Sequence, residues 1–95
     1  MPGRYSHEYK DWARAVRKRD KNRCVVCGSK YKTHVHHLNG WEWCYEERFE
    51  ETNGVVLCRQ HHNQFHDQYG RGGNTKDQFA QYLTYYEKDL WDIIE

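Results

Sequence analysis

Apolar positions divide this chain into short runs whose period changes from segment to segment. Tyr9, Trp12, Ala13 and Val16 follow Ser6 at helical spacing. A serine hydroxyl can satisfy a free N–H at a helix start, so a helix is predicted from about Ser6 to Asp20. Within Asn22 to Ser29, Cys24-Val-Val-Cys27-Gly28 reads as a tight turn, with glycine where the backbone must be unhindered. Thr33 to Leu38 and Gly54 to Leu57 have the character of short strands, separated by a long loop from Asn39 to Thr52. A further helix is predicted from Arg59 to Tyr69, ended by Gly70-Arg-Gly-Gly-Asn74. Thr75 can cap a last helix over about residues 75–94, along which Phe79, Leu83, Tyr86, Leu90 and Ile93 recur every three or four residues. That stripe reads as core or dimer seam rather than chemistry.

The elements amount to a small α+β chain, and its length of 95 residues suits one domain over 1–95. A domain of this size buries a thin core, and only 37% of these residues are hydrophobic, with a mean hydropathy of −1.24. A metal or disulfide staple is therefore expected to supplement burial, which directs attention to the four cysteines and seven histidines. Met1 to Glu8 has no apolar signal segment, and no apolar run approaches the ~18 residues of a membrane span. The expectation is a cytoplasmic, reducing setting without membrane contact, in which Cys-x-x-Cys reads as metal-binding or redox-active.

The net charge of +1 conceals an asymmetry. Residues 1–37 hold ten Lys/Arg against three Asp/Glu, whereas residues 38–95 hold five against eleven. One face of the first helix carries Lys10, Arg14, Arg17, Lys18 and Lys21. An excess of one sign over interleaved acids favours phosphate contact above a merely solvated face, so these five are the candidate nucleic-acid-binding residues.

Cys24-x2-Cys27, thirty residues, then Cys58-x2-His61 offers two pairs of donors, each from one turn. Four sulfur or nitrogen ligands from the protein close a tetrahedral shell, which makes a zinc structural rather than catalytic. The second pair falls where a strand passes into a helix, the arrangement of a treble-clef finger, and the fold would depend on the metal. A thioredoxin-like redox pair would lack its βαβ surroundings and leave Cys58 and His61 without a role. Cys44 is the odd thiol; it reads as packed and free, with replacement of His61 as fourth ligand the alternative.

Five of the six remaining histidines are grouped as His34, His36, His37 and His62, His66. His62 and His66 stand at i, i+4, so on a helix from Arg59 both rings face one way and can share a metal, with His36 or His37 available as a third ligand. No His-Glu-x-x-His protease motif is present, nor a deaminase signature. Adjacent residues on a regular strand point to opposite faces, so His36 and His37 can serve one site only where the strand ends or twists.

The ordered set Cys24-x-x-Cys27, His36-His37, Asn53-Gly54-Val-Val-Leu57-Cys58-x-x-His61-His62-x-x-x-His66 resembles the HNH (ββα-metal) endonucleases, especially small phage and homing-type members, over about residues 12–69. The resemblance implies a ββα-metal core with a treble-clef zinc site, flanked by the basic helix and the C-terminal amphipathic helix. It implies that His36, His62 and His66 hold one catalytic metal, that His37 is the general base, and that Asn53 holds the ring of His37 and the surrounding loop. DNA phosphodiesters would be hydrolysed, by nicking or double-strand cleavage, to a 5'-phosphate and a 3'-hydroxyl. The family commonly has Cys at the position of His61.

Imidazole suits the role of base, because an ordinary pKa near ~6.5 lets it accept a proton from water at neutral pH. Structural zinc and one divalent catalytic ion, Mg²⁺ or Mn²⁺ with Ni²⁺ or Zn²⁺ as the imidazole-favoured choices, are the implied cofactors. The implied setting is a bacterial host cell if the chain is phage-encoded; monomer and homodimer both stay open. A non-catalytic zinc finger binding nucleic acid, and a treble clef serving protein contacts, are the competing readings.

Overall fold

A computed structural model describes residues 6–95. Helix α1 spans His7–Arg19, strand β1 His34–His37, strand β2 Gly54–Leu57, and helices α2, α3 and α4 span Arg59–Tyr69, Lys76–Thr84 and Leu90–Ile94. A 3₁₀ turn, Glu51–Asn53, leads into β2. No described helix is long and apolar enough to cross a membrane.

Ser6 Oγ accepts from Tyr9 N at 3.2 Å and opens α1. The helix stops at Asp20, after which Lys21 and Asn22 take left-handed backbone angles. Strands β1 and β2 pair antiparallel, with His34 opposite Leu57 and His37 opposite Gly54. The outer edge of β2 is covered rather than left open: Asp20 Oδ2 accepts from Val56 N at 2.9 Å, and Val25 N donates to Val56 O at 3.0 Å. Arg19 pairs with the same Asp20 carboxylate and donates to the carbonyls of Glu51 and Gly54, locking the end of α1 to the sheet.

The two faces of the hairpin bury separate clusters. On one side Trp12, Val16 and Val56 pack with Val35 and Phe49. On the other, Val55, Leu57 and Phe65 meet Phe79, Tyr82, Leu83, Leu90 and Ile94 from the C-terminal helices. Gly54 sits where α1 crosses β2, and a Cβ there would lie 2.5 Å from Trp12 Cζ2 and 2.8 Å from Val16 Cγ2. Gly54→Ala should therefore lower stability by about 1–3 kcal/mol, as overpacked cores do. An unchanged urea midpoint would contradict this close approach.

The single C-terminal helix expected from the apolar stripe is two. Thr75 and Gln78 form a capping box that starts α3. Glu87 then adopts φ 58°, while Lys88 N donates to Leu83 O and Glu87 N to Thr84 O, both at 3.1 Å. These are the paired hydrogen bonds of a Schellman stop, with glutamate in the left-handed position that glycine usually fills. Asp89 Oδ1 then accepts from Trp91 N and begins α4. Of the stripe, Phe79, Leu83 and Leu90 are fully buried; Tyr86 and Ile93 are half-buried, and the break brings Ile94 into the core instead.

Candidate metal centres

The turn containing Cys24 and Cys27 is closed by Gly28 N donating to Cys24 O at 2.8 Å, with Gly28 at φ +79°. Cys58 ends β2 and stands at the N-cap of α2, which places His61 in the first turn of that helix. The donor atoms of Cys24, Cys27, Cys58 and His61 all lie within 4.8 Å of one another. A tetrahedral zinc bound at ~2.3 Å to sulfur and ~2.0–2.1 Å to nitrogen separates two sulfurs by about 3.8 Å, and sulfur from nitrogen by about 3.6 Å. Cys27 and Cys58 have sulfurs 3.8 Å apart, and His61 Nδ1 lies 3.8 Å from Cys24 Sγ and 3.2 Å from Cys58 Sγ. Burial and the neighbouring Cys24 push the Cys58 thiol up to about 11, the expected cost of gathering several ionisable sulfurs without a cation between them. Cys44 lies elsewhere, buried against the carboxylates of Glu46 and Glu47.

A second cluster, His36, His62 and His66, also has its ring nitrogens within 4.8 Å. His62 and His66 sit one turn apart on α2, with their Nε2 atoms 3.1 Å apart. Two nitrogens on one ion at ~2.1 Å are separated by about 3.0 Å in octahedral and about 3.4 Å in tetrahedral geometry. The same separation would suit a hydrogen bond between neutral rings, and His36 adds a separate observation. Its Nε2 is buried with no hydrogen-bond partner. An unsatisfied buried polar atom costs about 1–3 kcal/mol, and coordination would satisfy it.

The protonation states agree with ligation. Burial, followed by the repulsion of His62 and His66, holds His36 well below the usual imidazole range. Burial also takes His62 down to about 4, aided by His66, His34 and Arg71. Both are neutral at pH 7, the form that ligates metal. His66 Nδ1 donates to Gly70 O at 2.9 Å, because a carbonyl can only accept; that fixes the tautomer and leaves Nε2 to face the cluster. The neighbours His61 and His62 thus face different clusters, one of sulfur and one of nitrogen.

His36 and His37 obey strand alternation. His36 packs on Phe65 and Phe79 of the α2 side, while His37 lies under α1, its ring stacked on Trp12 at 3.8 Å and 17°. Because His37 is the last residue of β1, both rings still border one cleft of about 250 Å³, with His62, His66, Tyr9, Trp41 and Arg71. His37 Nε2 donates to Arg48 O at 2.8 Å, which places the ring's lone pair on Nδ1.

Asn53 is fully buried and acts as a clamp on the preceding loop. Its Oδ1 accepts from Asn39 N at 2.8 Å, and its Nδ2 donates to the carbonyls of Asn39 and Glu47. The carbonyl it holds at Glu47 is one residue from the Arg48 carbonyl that orients His37. Asn39 extends the clamp to α3, donating to Glu47 Oε1 and accepting from Lys76 N. The Lys76 ammonium, 2.7 Å from Glu47 Oε2, and the Asn39 amide hold the Glu47 carboxyl below its ordinary value of 4.5. A depressed folded-state pKa stabilises the fold above the ordinary value, and this contribution is lost as pH falls through the lower one. Glu47→Gln should therefore be less stable than wild type at pH 7, with the gap closing below pH 4.5; an equal gap at pH 7 and pH 3 would contradict this latch.

Other residues singled out in the sequence are placed apart from the cleft. Arg17 donates to Asn22 Oδ1 and Thr33 Oγ1 and so is engaged in tying α1 to the segment between it and β1, and Arg14 pairs with Asp11 on the surface. Lys10, Lys18 and Lys21 are exposed. His34 is exposed at the start of β1, its ring 5.1 Å from that of His62. Arg71 is the cleft residue that sequence reasoning passed over, since it lies within a glycine-rich helix stop. Asn74 O accepts from Trp43 Nε1 and Gly40 N, and Gly73 N donates to Glu42, so this turn is seated on the loop across the cleft. Comparisons with protein-family models, curated proteins and solved structures returned no match.

Proposed function

We propose that this chain is a metal-dependent endonuclease of the HNH type, built on a treble-clef zinc site, that hydrolyses DNA phosphodiesters. The observation that carries the reading is the orphaned Nε2 of buried His36 among the ring nitrogens of His62 and His66, beside a histidine whose Nε2 is tied to a carbonyl. The cleft is lined by the three imidazoles together with Arg71 and Glu42, and a cation held by the imidazoles would turn its balance toward an anion. His36, His62 and His66 would hold a divalent ion, which when bound would offset the negative charge that grows on the phosphate and the departing 3'-oxygen.

The chain's own residues do the rest. Nδ1 of His37 accepts a proton from the attacking water, whose oxygen bonds to phosphorus as the P–O3' bond breaks; the departing 3'-oxygen takes a proton from solvent, giving a 5'-phosphate and a 3'-hydroxyl. Trp12 stacked on the ring and the Arg48 carbonyl keep His37 in one orientation. Asn53 is a positioning residue, acting through the loop that carries Arg48. Arg71, which also lies 3.8 Å from the Asp67 carboxylate on the surface, would meet a phosphate oxygen, and the exposed lysines of α1 would contribute salt-dependent affinity without sequence information.

The test is conversion of supercoiled plasmid to nicked or linear forms across Mg²⁺, Mn²⁺, Ni²⁺ and Zn²⁺. Metal-dependent nicking is expected. DNA binding that weakens with salt, without cleavage in any ion, would favour the non-catalytic zinc finger, and neither binding nor cleavage would favour a protein-contact module.

A further inference from the structure

The loop that forms one wall of the cleft carries aromatic rings that the fold does not bury. Trp43 and Tyr45 are 46% and 57% exposed; Tyr31, Tyr85 and Trp91 are also exposed, on other segments, and what sets Tyr45 apart is its backing. Tyr45 is nevertheless not loose. The Arg48 guanidinium lies 4.2 Å from the ring centre of Trp41 and 4.1 Å from that of Tyr45, and Arg48 Nε donates to Trp41 O at 2.8 Å.

Trp41 itself borders the cleft, with its ring edge-on to His37 at 5.5 Å. A column therefore runs outward from His37 through Trp41 and Arg48 to Tyr45. Arg48 is 92% buried, and among the described residues no carboxylate pairs with it; two aromatic faces and a carbonyl hold its charge. The ring at the outer end is fixed in place yet open to solvent, which suits a recognition surface better than a core.

We propose that Tyr45 is a stacking platform for an unpaired base of the DNA strand engaged in the cleft, with Arg48 adding positive charge beneath it. This rests on the nuclease reading for the choice of DNA as ligand. A flat π surface backed by a guanidinium matches a nucleobase and its nearby phosphate together, and such stacking is tolerant of sequence. A paired base inside a duplex has both faces covered and cannot use the platform, so the preference is for single-stranded or locally opened DNA.

The test measures binding of a fluorescent oligo-dT and of a duplex of equal length by anisotropy, in buffer without added divalent ion, beside plasmid nicking by wild type. Tyr45→Ala should weaken oligo-dT binding about tenfold, within the range of base–aromatic stacking, and change duplex binding less than about twofold. Tyr45→Phe keeps the ring and should bind oligo-dT within about twofold of wild type, while thermal unfolding checks that the fold of each variant is retained. Equal oligo-dT affinity in wild type and Tyr45→Ala, equal losses on both DNA forms, or no oligo-dT binding by wild type would each overturn the platform. Nicking that persists alongside such a result would leave the nuclease reading standing; absent nicking with the expected binding pattern would remove catalysis and keep the platform.

Discussion

Cys58→Ser is expected to leave the chain largely unfolded at neutral pH. Cys58 is a ligand candidate in the sulfur cluster, the residue at which β2 ends, and the N-cap of α2. Structural zinc sites of this kind contribute on the order of 10–16 kcal/mol of apparent binding free energy, whereas domains of this size are stable by about 5–15 kcal/mol in total. The substitution would also leave Cys24, Cys27 and His61 gathered without their fourth donor. Chelation of the zinc should have the same effect as the substitution. Far-UV circular dichroism with zinc analysis checks this: a Cys58→Ser protein that unfolds cooperatively and holds no zinc would contradict a metal-dependent fold. Cys44→Ser is the control, expected to keep its zinc, because the Cys44 thiol lies by Glu46 and Glu47 rather than in the cluster.

The second large effect is on chemistry. His37→Ala should lower the nicking rate by roughly 10²–10⁴-fold, the usual contribution of a positioned general base, while retaining both metals and nearly the wild-type DNA affinity. The substitution removes a ring stacked on Trp12, so some stability is lost with it; metal content and the unfolding midpoint separate that loss from the catalytic one. Asn53→Ala should fall between wild type and His37→Ala, since it loosens the Asn39 and Glu47 carbonyls and only indirectly the Arg48 carbonyl that holds the base. Undiminished nicking by His37→Ala would remove that residue from the mechanism.

Elements whose local chemistry and packing agree are the ones legible in the sequence. Strand β2 and helix α2 have the bounds expected from the sequence: the apolar run ends at Leu57, Cys58 stands in extended conformation between strand and helix, and Gly70 stops the helix. The proximity of His62 and His66 follows from helical spacing alone. The break between α3 and α4 is not legible, because Glu87 occupies a left-handed position that only glycine or asparagine would have advertised. Nor is the orientation of His37, which depends on a backbone carbonyl 11 residues away; any residue type at position 48 supplies that carbonyl. Arg17 reads as a phosphate contact by charge and face, yet Asn22, just past the end of α1, and Thr33, just before β1, engage it. Arg71 is hidden for the opposite reason: its turn looks like punctuation, and its place beside the cleft comes from hydrogen bonds to the loop opposite.

The central claim is that His61 and His62, adjacent in the chain, belong to two different metal centres. It is tested most directly by counting tightly bound and exchangeable metal ions per chain in wild type and in His62→Ala, by elemental analysis after dialysis against a defined divalent ion. The expected result is two ions in wild type, one zinc and one exchangeable, and a single retained zinc in a folded His62→Ala protein. One ion per chain in wild type, or the same count in both proteins, would contradict it.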